Sequence, residues 1–163
     1  EETLWGGSTL YVYPSGADMT ELLSSSASDT VDIEIQGLDT NWDLTTITET
    51  LTGTTPVVIG TPLRRVFRMK VNGSTSIVGN VSLTNDDQTV TYGYVAAGKN
   101  QTQQAVYTIP DGKIGFLYKW YATILRASGV NAVAADVDIL IRSENGVFKS
   151  QQPVGIQNTG QGW

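Results

Sequence analysis

The chain has 163 residues, 40% of them hydrophobic and 16% charged, with a formal charge of −6 and neither histidine nor cysteine. That length suits one domain around one core. The missing residue types exclude disulfides, thiolate nucleophiles, Ser-His-Asp chemistry and zinc sites built on Cys or His, and the negative charge argues against a nucleic-acid partner.

Apolar and polar residues alternate along most of the chain, and turn residues close each run, so the predicted elements are strands. The first is expected at residues 10–13. A short helix is expected over 18–23, with Ser15 and Asp18 placed as a capping pair. In residues 31–36, Val31, Ile33 and Ile35 face one way and Asp32, Glu34 and Gln36 the other, the pattern of a half-buried strand ended by Gly37. A Thr-rich ribbon follows over 44–52, then a turn at Gly53 to Pro56. Residues 65–71 place Phe67, Met69 and Val71 on one face and leave Arg64, Arg68 and Lys70 on the opposite one. Further strands are expected at 76–83, 89–95 and 103–109. Pro110-Asp111-Gly112 is a strong turn signal and predicts a hairpin, because Pro presets the first turn dihedral and Gly accepts positive φ. The run 113–126 carries Ile114, Phe116, Tyr118, Trp120 and Ile124 on one face and Leu117, Tyr121 and Leu125 on the other, which reads as a central strand covered on both sides. Strands at 134–141 and 147–149 complete the set.

About ten short strands with little helix predict an all-β fold, an antiparallel β-sandwich of jelly-roll type. Residues 1–150 are expected to form one domain and 151–163 a polar C-terminal arm. No run approaches the roughly 20 apolar residues of a membrane span, so a soluble chain without membrane contact is expected. The N-terminus lacks the marks of a signal peptide, and Glu1 in place of Met implies a start processed, truncated or left out.

No catalytic residue, cofactor or metal is expected. Carboxylates remain available for two-acid glycoside hydrolysis, and Asp32, Glu34, Glu49, Asp136 and Asp138 are the candidates. Asp32 and Glu34 are more simply the solvent face of a strand. Asp39, Asn41 and Asp43 have the spacing that opens a calcium loop, but Leu44 and Thr50 stand where that loop needs Gly and Glu, so a polar turn is the simpler reading. Trp42, Trp120, Tyr92, Tyr94, Tyr118 and Tyr121 suit either a core or a sugar-stacking platform.

Charge is distributed unevenly. Residues 1–63 hold ten carboxylates and no Lys or Arg, whereas all ten basic residues lie from Arg64 onward. The two parts are complementary, either as paired strands within one sandwich or as facing surfaces of neighbouring subunits. Trp5 and Trp163 sit in Gly-rich terminal segments too polar to build a core, which suits anchors for a neighbour's pocket. Trp5, Arg64, Arg68, Lys70 and Trp163 are therefore the candidate assembly contacts.

The stretches Ile35-Gln36-Gly37-Leu38-Asp39, Glu49-Thr50-Leu51-Thr52-Gly53-Thr54-Thr55-Pro56-Val57, Arg64 to Met69, and Gly98-Lys99-Asn100-Gln101-Thr102 followed by Tyr107-Thr108-Ile109-Pro110-Asp111-Gly112-Lys113 are distinctive in their order. In that order, over residues 30–125, the chain resembles small virion structural proteins of tailed phages. The resemblance implies a non-enzymatic component of the phage particle. By analogy of fold, it points to a capsid decoration or cement protein that bridges subunits as a dimer or trimer, with itself and the major capsid or another virion protein as partners. A tail or fibre domain that binds a receptor, or a carbohydrate-binding sandwich with a glycan ligand, are the alternatives.

Overall fold

The computed structural model describes residues 3–124, 133–143, 146–151 and 153–158, and all regular structure in them is antiparallel β. The chain divides into two compact units, one running up to Gly115 and the other starting at Phe116.

The first unit is a two-sheet sandwich. One sheet has the order β4-β1-β6-β7, from Val57–Leu63, Met19–Ser24, Val81–Thr84 and Thr91–Val95; the other has the order β3-β2-β5, from Leu44–Thr50, Asp32–Leu38 and Arg65–Asn72. Alternation decides which side chains meet between them. Ile33 and Ile35 of β2 and Met69 and Val71 of β5 join Met19, Leu22, Ile59, Leu63, Val81, Leu83 and Val95 of the first sheet in one buried cluster. Gly93 on β7 lets the sheets close, because a Cβ there would stand 2.5 Å from the Met69 sulfur.

The helix expected over 18–23 is instead strand, β1 running from Met19 to Ser24. Met19 and Leu22 are both fully buried, a spacing of three that imitates a helical face. The cause is a bulge: Met19 pairs with Leu63 but Glu21 with Val58, so the strand changes phase between them. A second bulge shifts the face expected for β5. Gln36 pairs with Arg68 and Gly37 with Val66, leaving Phe67 as the extra residue. Val66 therefore enters the core beside Met69 and Val71, while Phe67 is half-buried and stacks on Tyr107 at 4.4 Å. Gly37 makes this possible, since a Cβ there would lie 2.1 Å from the Arg65 carbonyl oxygen.

Residues 10–13 form no strand. Tyr11 is buried, with Trp5 and Tyr13 meeting its ring edge-on at 5.3 and 4.9 Å. The strand β4 was not expected, because Gly60 and Pro62 interrupt its apolar run; it lies at a sheet edge, where a proline's missing N–H breaks no ladder. Within 76–83 only Val81 onward is strand. The residues before it form a loop held by Asp29, whose carboxylate accepts from the amides of Val78 and Gly79. Residues 103–109 are outside the named strands yet keep a strand's alternation, half-buried at Gln104, Val106 and Thr108 and exposed between. At Pro110-Asp111-Gly112 the turn is present, with Gly112 at φ +64° and the Lys113 amide donating to the Pro110 oxygen. The hairpin is not. Residues 113–124 belong to no strand, so the expected central strand is not formed within the chain, and positions 125 and 126 lie outside the described residues.

Among its described residues, the second unit contains two ribbons. The strand β8 (Val133–Val137) pairs with β11 (Val154–Asn158), and β9 (Leu140–Ile141) with β10 (Lys149–Ser150). Part of the expected polar arm is thus a paired strand, and Trp163 lies outside the described residues.

Candidate assembly surface

The expected basic face resolves into individual partnerships. Lys70 on β5 stands opposite Glu34 on β2, and its Nζ lies 3.1 Å from the Glu34 carboxylate. Hydrogen bonds from Lys70 and then from Gln36 hold the Glu34 carboxyl below the usual carboxylate range. The charge complementarity is here internal, a cross-strand pair. Arg68 is exposed and donates to the Gln101 side-chain oxygen at 2.7 Å. Together with Lys99, these two cations line an open cavity of about 410 Å³ whose rim includes Asn100, Gln101 and Gln103. It exists because the chain after Gly98 runs along the free edge of β5, where Lys70 bridges Gln101 and the Thr102 amide donates to the Met69 oxygen. Such a cavity can receive a carboxylate or amide side chain from a neighbour.

Arg64 turns the other way. Its Nε donates to the Thr40 oxygen at 2.9 Å, and its guanidinium lies 5.2 Å from the centre of the Trp42 ring. Arg65, buried and not expected as a functional residue, lies over the same ring at 5.0 Å and donates to the Pro14 oxygen. Two cation–π contacts thus hold Trp42, which adopts the left-handed φ of 66° that a bulky residue avoids without such support. The Trp42 oxygen accepts from the Asp111 amide, which ties the Pro110 turn to the loop before β3.

Trp5 packs on its own domain. Its indole nitrogen donates to the Thr9 oxygen at 2.7 Å, its ring meets Tyr11, and Gly7 lies so close beneath it that a Cβ would clash. With Tyr94, Ser25, Asn80 and Ser82 it borders a second cavity of about 340 Å³.

The carboxylates considered for hydrolysis in the first unit have structural partners. Asp32 accepts from the Thr50 hydroxyl, Glu34 from Lys70 and Gln36, and Glu49 from the Gly60 amide. In the Asp39 turn, one carboxylate oxygen accepts from the amides of Asn41 and Asp43, as a polar turn requires.

Comparison with protein-family models, with curated proteins and with solved structures finds no match.

The most exposed apolar side chains follow the Pro110 turn. Phe116 is 90% and Tyr118 98% exposed, and Ile114, Leu117 and Tyr121 are also open to solvent. Sequence reasoning took these residues for core, since their pattern is that of a strand with two covered faces. Nothing in the pattern says whether the cover comes from the same chain.

Proposed function

We propose that this protein is a structural component of a tailed-phage particle, a capsid decoration or cement protein that acts by contact with itself and with the major capsid protein. The observation that carries the reading is the exposed apolar segment of residues 114–121. Water-exposed aromatic and aliphatic side chains in such a row are the mark of a surface meant to be covered. Covering each contributes about 1.5 to 3 kcal/mol, so two or three suffice to favour a repeated contact, and symmetry multiplies the effect through avidity. The order of motifs that resembles small virion structural proteins supports the particle as the setting. The sandwich supplies a rigid body, and the cavity at Arg68, Lys70 and Lys99 supplies a polar surface able to take part in a contact.

A glycan-binding module is the second reading, favoured by the cavity where Trp5 and Tyr94 stand among serine, threonine and asparagine side chains. The Trp5 ring, however, is already engaged by Gly7 and Tyr11. The test is co-sedimentation of the purified chain with phage particles that lack it. Saturable binding that Phe116→Asp with Tyr118→Asp abolishes supports the proposal. Absence of binding, together with capture on immobilised glycans, favours the second reading.

A further inference from the structure

We infer that Asn72 is a site of self-modification, where the Gly73 amide nitrogen displaces ammonia from the Asn72 side chain and water then leaves aspartate or isoaspartate. This stands apart from the assembly reading. In the first step the nitrogen bonds to the side-chain carbonyl carbon and gives up its proton, the bond from that carbon to Nδ2 breaks, and ammonia departs with the proton. The cyclic imide so formed takes up one water at either carbonyl, which opens it and creates the new carboxylate.

Both reacting groups are free. Asn72 ends β5 and is exposed, and its side-chain amide has no hydrogen-bond partner among the described residues. The Val71 amide donates to the Asn100 oxygen at 2.8 Å, away from β2, so the Asn72 backbone faces β2 and the Gly73 amide turns away again beyond the strand's end. It meets no acceptor among the described residues, and a Cβ on Gly73 would have nothing within 4 Å. The Gly73 φ of +121° suits glycine alone, so no side chain shields the attacking nitrogen. The sequence contains the same dipeptide once more, at Asn145-Gly146, whose asparagine lies outside the described residues. There the Gly146 amide donates to the Ser143 oxygen at 3.0 Å, which occupies the nitrogen that would attack. Asn80 and Asn85 are followed by Val81 and Asp86, and their side-chain oxygens accept from the amides of Ala97 and Val90.

The position gives the change a consequence. Asn72 stands directly opposite Asp32 across the β2–β5 ladder, and Asp32 is exposed and accepts from the Thr50 hydroxyl. Conversion sets two carboxylates face to face, which opposes pairing at that end of the sheet. Isoaspartate also lengthens the backbone there by one carbon.

The experiment incubates the purified full chain at mildly alkaline pH and follows its peptides by mass spectrometry, with enzymatic methylation to count isoaspartate. The Asn72 peptide is expected to gain the mass of an amide-to-acid exchange severalfold faster than the Asn145 peptide, at a rate that rises with hydroxide. In urea, where both glycine amides are free, the two rates should converge. Asn72→Gln should block the gain at that site, because its longer side chain closes the ring poorly. Asn72→Asp, which carries the product's charge from the start, should lower the melting temperature by about 2 °C, and adding Asp32→Asn should restore it. Conversion at Asn145 that equals or outpaces Asn72 in the folded chain overturns the inference, as does an Asn72 that stays intact when folded and converts only in urea. A melting temperature that Asn72→Asp leaves unchanged overturns the consequence at Asp32.

Discussion

Replacing Asp29 by Ala should be among the most destabilising single changes in the first unit. Asp29 is 3% exposed, and its carboxylate accepts from the Ser24 hydroxyl at 2.6 Å, the Val78 amide at 2.8 Å and the Gly79 amide at 2.9 Å. Its backbone adds a fourth connection, from the Gly53 amide to the Asp29 oxygen. One residue thus fixes the end of β1, the turn after β3 and the loop before β6. Hydrogen bonds to a charged group contribute about 1.5 to 3 kcal/mol each, and the donors left behind lose their acceptor in a buried site. Water entering the truncated site recovers part of this, so the expected loss is about 4 kcal/mol, a large fraction of a domain's stability. Burial pushes the Asp29 carboxyl up, but the Ser24 hydroxyl and the two amides outweigh it and hold the group below its ordinary value. A depressed carboxyl stabilises the fold fully above the unfolded pKa of about 4 and loses that contribution as the pH falls through the folded value. Urea unfolding followed by tryptophan fluorescence measures both effects. The variant should show a lower midpoint at neutral pH and a shallower loss of stability under acid. A midpoint within about 0.5 kcal/mol of wild type, or an unchanged acid slope, would refute the assignment.

Three further outcomes follow from the packing. Gly37→Ala forces a Cβ against the Arg65 oxygen at the β2–β5 bulge and should cost about 2 kcal/mol or more, read as a lower melting temperature with an unchanged β spectrum. Tyr11→Phe removes a buried hydroxyl without a hydrogen-bond partner and should be neutral or stabilising by up to about 1 kcal/mol. Burial pushes the Tyr11 phenol up to about 12, so wild-type stability should fall as the pH rises from about 10 toward 12, a dependence that the Phe variant loses in denaturant titrations at alkaline pH. Arg65→Lys keeps the charge but loses the planar fork that reaches Pro14 and stacks on Trp42, and should cost about 2 kcal/mol by urea unfolding.

The antiparallel sandwich was legible because alternation is a local signal. The strands β2, β3 and β7 fall where the pattern puts them, and Ile33, Ile35 and Met69 are in the core. The misreadings arise where register changes. A bulge makes Met19 and Leu22 look helical, another turns Val66 rather than Phe67 inward, and an edge position lets β4 keep Gly60 and Pro62. Each depends on a partner strand, which a single run of residues does not name.

The site was legible in a different proportion. Lys70 and Glu34 were each placed on the polar face of a strand, but only the register across β2 and β5 reveals them as a pair. Arg65 was invisible as a partner of Trp42, because the two lie on segments joined only by the fold. The segment after Pro110 was misread for a physical reason. Apolar periodicity reports that a strand wants two covered faces and says nothing of which chain covers them.

The central claim is that this chain works as a particle component through the segment after Pro110, and peptide-resolved hydrogen exchange on purified phage particles tests it most directly. The account predicts that the chain's peptides are present in the particle digest and that amides of residues 114–119 exchange slowly there and rapidly in the dissociated chain. Absence of the chain from the particles, or equally rapid exchange of those amides in both states, would contradict it.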